Sequence, residues 1–296
     1  MTQDERRLYL INELLKERNE DCKIPDDEKS QKDLLRSLMN IRQPLPVSAD
    51  FLQIQDEYLQ EANRERGCTD VRDLESVKGI VGSSPTMTQV ASTTMTQVAS
   101  PSMTKDVIPV LDTGISKKLY LWHGDITTLK VDAIVNAANS QLLGCFAPLH
   151  ACIDNCIHTF AGIQLRLTCN ELMKKQGHEE GTGLCKITPA FNLPSRYVLH
   201  TVGPIIYTSV SPREKLLLEN CYKNCLETAA ENQLESIAFC CISTGVFRFP
   251  QDLAAQIAVE TVEKWLSENP DSSVKKVVFN VFGNKDLEIY KKVFGL

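Results

Sequence analysis

No run of the chain approaches the roughly 18 consecutive apolar residues that a membrane-spanning helix needs. The first residues, MTQDERRLYLINELLKER, hold Asp4, Glu5 and Glu13 among their arginines. They therefore lack the apolar core of a signal peptide and the acid-poor pattern of a transit peptide. The expectation is a cytoplasmic protein with no membrane partner. Positive charge is also in short supply: 32 Lys and Arg against 38 Asp and Glu leave a formal net charge of -6. Such a balance does not displace counterions along a nucleic-acid backbone, which excludes a non-specific nucleic-acid binder. Helix N-termini and backbone N–H groups can still hold one phosphate-bearing small molecule. Disulfide spacing is missing too. Eleven cysteines, an odd number, lie mostly inside apolar runs such as SIAFCC at 236–241, so reduced thiols and metal ligation are the reading.

What is present is enough apolar material, 43% of 296 residues, for one large core or one core with a small companion. Residues 1–82 read as a helical region. Thr2 and Glu5 match a capping box, and Leu8, Ile11 and Leu15 follow at helical spacing. Leu34, Leu35, Leu38 and Met39 make a second face, Pro44 and Pro46 interrupt, and Phe51, Ile54, Tyr58 and Ala62 mark a third. So few apolar residues predict that these helices pack onto a larger domain. Residues 83–105, in which TMTQVAS occurs at Thr86 and again at Thr94, read as a Ser/Thr-rich linker or surface loop.

The main domain is assigned to 106–296. Short β-branched runs (LYLWHG, VDAIVN, CKITPA, YVLHTVG, SIAFCCIS, KVVFNVFG) alternate with helical patterns at 154–176, 213–232 and 250–269. That alternation predicts an α/β fold with a mixed, largely parallel sheet between helices. Ligands of such sheets collect outside the carboxyl ends of the strands. The loops at 124–126, 136–150 and 243–250 are therefore the places for chemistry. In the second and just past its end, Cys145, His150 and Cys152 fall inside eight positions. Two thiolates and an imidazole suit Zn²⁺ and leave one tetrahedral position open, as a catalytic zinc requires; in a cysteine-rich chain, chance clustering is the alternative.

GDI at 124–126, VDAIVNAAN at 131–139, IHTFAG at 157–162, HTVGP at 200–204 and ISTGVFRFP at 242–250 together resemble a macrodomain, the three-layer α/β/α fold that binds ADP-ribose. Where many macrodomains carry a run of glycines, this chain has GCFAPLHAC at 144–152. That departure, with the helical extension, resembles the zinc-containing microbial macrodomains associated with sirtuin-type ADP-ribosyltransferases. The resemblance implies that Asp125 accepts from the adenine amino group beside the Ile126 amide. It also implies that Asn139, with Asn136, lies near the distal ribose, although Asn136 could instead tie down its own loop. Ser243, Thr244, Gly245 and Val246 would cradle the diphosphate with backbone N–H groups, and Phe247 would lie against the distal ribose or its neighbour. Arg248 stands where the family usually has glycine and is left open to phosphate, protein substrate or solvent.

Asp154 is read as holding ADP-ribose or a reacting water, with a helix cap as the alternative. His158 is read as a packing histidine. Glu179 and Glu180 are expected in solvent, and Cys156, Cys169, Cys185, Cys221, Cys225, Cys240 and Cys241 as small buried hydrophobes. The implied activity is hydrolysis of mono-ADP-ribose from modified protein side chains, of an acidic, ester-linked kind, by a monomer. Asp154, Asn139 and the residues Cys145, His150 and Cys152 would form the catalytic centre, with zinc polarising the scissile group or lowering the pKa of its bound water. A non-catalytic ADP-ribose reader with a structural zinc is the alternative.

Overall fold

The computed structural model describes residues 1–77 and 114–296. The expected linker at 83–105, and the boundaries set at 82 and 106, lie outside the described residues.

Three helices open the chain: α1 (Gln3–Arg18), α2 (Glu28–Ile41) and α3 (Ala49–Glu65). The capping box on α1 forms as expected, with Glu5 N–H donating to Thr2 Oγ1 and Thr2 N–H to the Glu5 carboxylate; on α2 and α3 the Asp27 and Ser48 side chains accept from the Ser30 and Phe51 N–H groups. The buried stripe of α1 centres on Leu10, Ile11, Leu14 and Leu15, and Leu8 is only half-buried. These residues share a core with Leu35, Leu38, Met39, Phe51, Tyr58 and Leu59, and Ile163 of the large domain completes it. The helices therefore pack onto the large domain. A two-residue strand β1 (Thr69–Asp70) adds to this join by pairing in parallel with β3 (Leu129–Lys130), and Val71 and Val77 enter the main core.

The central sheet is built from β2 (Leu119–His123), β4 (Ala133–Ala138), β5 (Cys185–Pro189), β6 (Tyr197–Val202), β7 (Ser236–Phe239) and β8 (Lys276–Val281), in the order β2-β8-β7-β4-β6-β5. All neighbours are parallel except β5, which runs antiparallel to β6. Strands buried on both faces read as continuous apolar runs, as Ala133–Val135 and Val277–Phe279 do. Helices α4 (Ile153–Ala161), α5 (Ile163–Gln176), α6 (Pro212–Glu231), α7 (Gln251–Glu268) and α8 (Asn284–Phe294) cover the sheet, giving the expected α/β fold with a mixed, mostly parallel sheet between helices.

The single helix expected over 154–176 is two. Gly162 breaks it at φ 96°, ψ 172°, a conformation open to glycine, and the freed Ile163 N–H is taken by Gln55 Oε1 of α3 at 2.9 Å. Pro250, expected in the first helical turn, is instead the residue just before α7. Glu180 is also not solvated: it is 4% exposed and paired with Lys186 at 2.8 Å, whereas Glu179 is exposed and accepts from Ser140 Oγ.

Candidate active site

The carboxyl ends of β2, β4, β7 and β8 converge on one edge of the sheet. The Gly124 N–H donates to the Val281 carbonyl at 3.0 Å, which places the Gly124-Asp125-Ile126 turn beside the end of β8. Asp125 Oδ1 accepts from Thr127 N–H at 2.9 Å and from Thr127 Oγ1 at 2.6 Å. Its Oδ2 accepts from Arg66 Nη2 at 2.5 Å, and the Arg66 guanidinium lies 3.4 Å from the centroid of the Phe160 ring. A carboxylate offers about four lone-pair sites, and with 37% of its side chain exposed Asp125 can take a further donor. Phe282 follows β8 directly and is 76% exposed. A flat apolar face next to the Asp125 turn suits a stacked base. Sequence reasoning missed both Phe282 and Arg66; an aromatic immediately after an apolar strand was the available signal for the first, and nothing local signals the second.

At the end of β4, Asn136 is completely buried. Its Nδ2 donates to Asp154 Oδ1 at 2.8 Å and faces His200 Nδ1 at 3.2 Å. Its amide thus ties Asp154 to His200 in the interior. His200 Nδ1 must accept from the Asn136 amide, so Nε2 carries the proton and donates to Thr188 Oγ1 at 2.9 Å. Asn139, half-buried, donates to the Gly144 carbonyl at 3.0 Å and reaches Asp154 Oδ2 at 3.5 Å. Burial pushes the Asp154 carboxyl up to about 6, against the Asn136 hydrogen bond and the Arg166 charge. His158, one turn along α4, brings Nε2 to 3.6 Å from Asp154 Oδ1. Its ring packs against Gly144, where a Cβ would stand 2.7 Å from the imidazole, and neither ring nitrogen has a hydrogen-bond partner among the described residues.

Both imidazoles are neutral in the fold: burial depresses His200 to about 3, and burial, then His200 and Arg166, hold His158 well below its ordinary value. The unfolded chain protonates them near 6.5. Their contribution to stability is therefore whole above about pH 6.5 and falls below it by about 1.4 kcal/mol per pH unit for each histidine. Asp154 acts oppositely below about pH 6, because the fold takes up its proton before the unfolded chain does. The urea midpoint of metal-free protein is expected to drop from pH 6.5 downward, less steeply below 6. A midpoint constant from pH 7 to 5 would contradict the neutral pair.

Cys145, His150 and Cys152 come together: their three ligand atoms all lie within 4.8 Å of one another, with Cys145 Sγ 3.4 Å from His150 Nδ1. A tetrahedral zinc with bonds near 2.3 Å to sulfur and 2.1 Å to nitrogen spaces its ligands by about 3.5–3.8 Å, so the set fits the ion after small adjustments. Burial pushes the Cys152 thiol up to about 12, and the neighbouring Cys145 and Asp154 charges add to this. A divalent cation would reverse that penalty. Cys152 also caps α4, its Sγ accepting from Asn155 N–H at 3.4 Å. A second grouping, His158, Cys169 and His200, is fully buried, but the hydrogen bonds of His200 occupy both its ring nitrogens. The other cysteines are unbridged, but only Cys169, Cys221, Cys225 and Cys240 are buried as expected, with Cys169, Cys221 and Cys240 each pushed up to about 12 by burial, whereas Cys156, Cys185 and Cys241 are half-buried.

The loop after β7 carries Ser243 at φ 65° and Arg248 at φ 61°. It is closed by Phe249 N–H to Ser243 O (2.9 Å) and Arg248 N–H to Gly245 O (3.0 Å). Those bonds leave the N–H groups of Gly245, Val246 and Phe247 without a partner among the described residues. Gly245 and Val246 are exposed, and α7 begins just beyond with no side-chain cap. Successive free N–H groups before an uncapped helix make an anion cradle. Thr244 Oγ1 is turned away, donating to the Cys241 carbonyl at 3.0 Å. Arg248 is exposed and occupies the left-handed region that favours glycine, so Arg248→Gly is expected to raise unfolding stability by about 1 kcal/mol. A lower midpoint in chemical denaturation would show that the arginine side chain makes up for its backbone strain.

Residues 135–258 match the Macro domain family. The chain is 54% identical over its full length, and that of the relative, to a protein-ADP-ribose hydrolase of Treponema medium. The chain belongs to the macrodomain protein-ADP-ribose hydrolases. A Staphylococcus aureus protein-ADP-ribose hydrolase is 45% identical over 97% of this chain and 94% of its own. Among solved structures, a Trypanosoma brucei macrodomain in complex with ADP-ribose aligns with a TM-score of 0.59 at 27% identity, covering 86% of this chain and 94% of that one. The hydrolase is thus matched through its N-terminal helices as well as its sheet. No helix among its described residues is long and apolar enough to cross a membrane.

Proposed function

We propose that this hydrolase removes mono-ADP-ribose from acidic protein side chains, cleaving the ester to the proximal ribose with the help of a zinc ion held by Cys145, His150 and Cys152. The observation that carries the reading is the convergence of three soft ligand atoms within 4.8 Å, on a loop whose Gly144 carbonyl is held by Asn139. Three protein ligands leave a tetrahedral zinc one position for substrate or water, whereas structural sites are usually closed by four. When bound, zinc supplies Lewis-acid polarisation or a water of lowered pKa.

The chain's own residues do the rest. Asp125, with the Ile126 amide, takes the adenine, and Phe282 supplies its stacking face. The N–H groups of Gly245, Val246 and Phe247 hold the diphosphate, and the Phe247 ring borders the distal ribose. Asn139 fixes the ribose and the loop together. Asp154, brought to about 6, is poised near neutral pH to accept a proton from the attacking water and return it to the leaving carboxylate or sugar oxygen. Asn136 and His200 hold Asp154 in place from behind. The partner reading is a mono-ADP-ribosylated protein, modified by a sirtuin-type ADP-ribosyltransferase, with the hydrolase acting as a cytoplasmic monomer; eleven unbridged cysteines suit a reducing compartment.

The test is release of free ADP-ribose from a protein modified at Glu or Asp, against the same protein modified at Arg. Faster release from the acidic linkage is expected. Tight binding of ADP-ribose with no release from any modified substrate would favour a reader instead.

A further inference from the structure

The three ligand-bearing residues are tied to one polar node, and half of that node belongs to α2. Asn155, in the first turn of α4 and fully buried, donates its Nδ2 to the Cys145 carbonyl at 3.2 Å and to the Ala147 carbonyl at 3.0 Å. Its backbone N–H donates to Cys152 Sγ at 3.4 Å. Its Oδ1 accepts from Arg36 Nη2 at 2.9 Å, and the same Nη2 donates to the His150 carbonyl at 3.0 Å. Asn40, one turn further along α2 and 1% exposed, accepts the Leu149 N–H on Oδ1 at 3.1 Å and donates to Thr159 Oγ1 at 3.0 Å. Leu149 stands in the left-handed region at φ 57° and is 42% exposed, so the Asn40 hydrogen bond helps hold a strained and only partly packed residue.

From this geometry we infer that Arg36 and Asn40 of the N-terminal helices are positioning residues for the zinc loop, Arg36 acting through Asn155 and the His150 carbonyl and Asn40 through the Leu149 N–H. The inference rests on the proposed zinc site. A loop of eight residues carrying three ligands has to be ordered before a metal binds it tightly, and the ordering entropy otherwise lowers the affinity. Here the order is supplied in advance by side chains more than a hundred residues away in sequence. Residues that orient metal ligands from outside typically change metal affinity 10–100-fold when removed.

The test is zinc affinity of the full chain by competition with a chromophoric chelator, read beside ADP-ribose affinity and thermal stability. Arg36→Ala is expected to weaken zinc about 10–100-fold and to leave ADP-ribose affinity within about twofold, because the Asp125 turn and the loop after β7 do not touch the node. Arg36→Lys, which keeps the charge without the fork, is expected to fall between. Lys32→Ala, on an exposed turn of the same helix where Lys32 pairs only with Glu28, is the control for general loosening of α2 and should bind zinc as the wild type does. Asn40→Ser gives an independent variant should Arg36→Ala misfold. Wild type with stoichiometric zinc and Arg36→Ala and Asn40→Ser of equal affinity would overturn the positioning role alone. Wild type without zinc would overturn the metal site itself, and the inference with it.

Discussion

Replacing Cys145 by alanine is expected to cut release of ADP-ribose from an ester-modified protein by about 10³-fold, about 4 kcal/mol in the barrier, while ADP-ribose itself binds within about threefold of wild type. The two effects separate because the sites separate. In the proposed binding mode the base, distal ribose and diphosphate would be met by the Asp125 turn, Asn139 and the loop after β7, and none of these makes a hydrogen bond to the Cys145 thiol among the described residues. In that proposal the scissile bond would sit beside the Asn139–Asp154 pair, on the side from which Gly144 leads into the Cys145–Cys152 loop. Two ligands, His150 and Cys152, hold zinc far more weakly than three, so the variant should lose the metal as well as the rate. Chelator-treated wild type should behave the same way and recover on addition of zinc. Unchanged release after proven loss of zinc would sink metal-assisted catalysis and move the chemistry onto Asp154 alone.

Gly203→Ala is expected to weaken ADP-ribose at least 100-fold and to cost about 1–3 kcal/mol of stability. Gly203 sits just past β6, and a Cβ there would meet Ser243 Oγ at 2.0 Å and Ile242 Cγ2 at 2.9 Å. Ser243 is 5% exposed, already in the left-handed region and without a partner for its hydroxyl, so it has little room to move except by shifting the loop. That loop carries the three free N–H groups proposed to hold the diphosphate, and hydrogen bonds to a charged acceptor are worth about 1.5–3 kcal/mol each. Adding Ser243→Ala should restore part of the affinity, because it removes the nearest clash and leaves Ile242. Isothermal titration with ADP-ribose decides it; wild-type affinity in the single variant would mean that the loop absorbs the methyl group elsewhere.

Much of the architecture was legible in the chain. Period-two and continuous apolar runs marked all six strands of the main sheet, and the ordered motifs located the Asp125 turn, the asparagines, the ligand loop and the loop after β7. Strand order was not legible, since local patterning carries no record of which strands pair across more than a hundred residues. The break at Gly162 was missed because its cause is tertiary: Gln55 of α3 takes the Ile163 N–H. Glu180 looked solvated because its partner Lys186 arrives only through the fold. Asn136 and Asn139, two residues of one motif, part company for the same reason: one faces His200 and the other the ligand loop. Arg36, Asn40 and Arg66 were invisible as site residues, because the bonds that recruit them span 59–119 positions.

The strand order has one more consequence, for synthesis. β8 is the last strand made, yet it lies between β2 and β7. Until residues 276–281 leave the ribosome, β2 has no neighbour in the main sheet, and the Gly124 N–H has no Val281 carbonyl to meet. At about 5–20 residues per second, β2 waits on the order of ten seconds with its edge open. A nascent chain of this kind is exposed to chaperones and to aggregation through that edge. The Asp125 turn is therefore anchored last, after the Cys145–Cys152 loop and the helices that hold it have already been made.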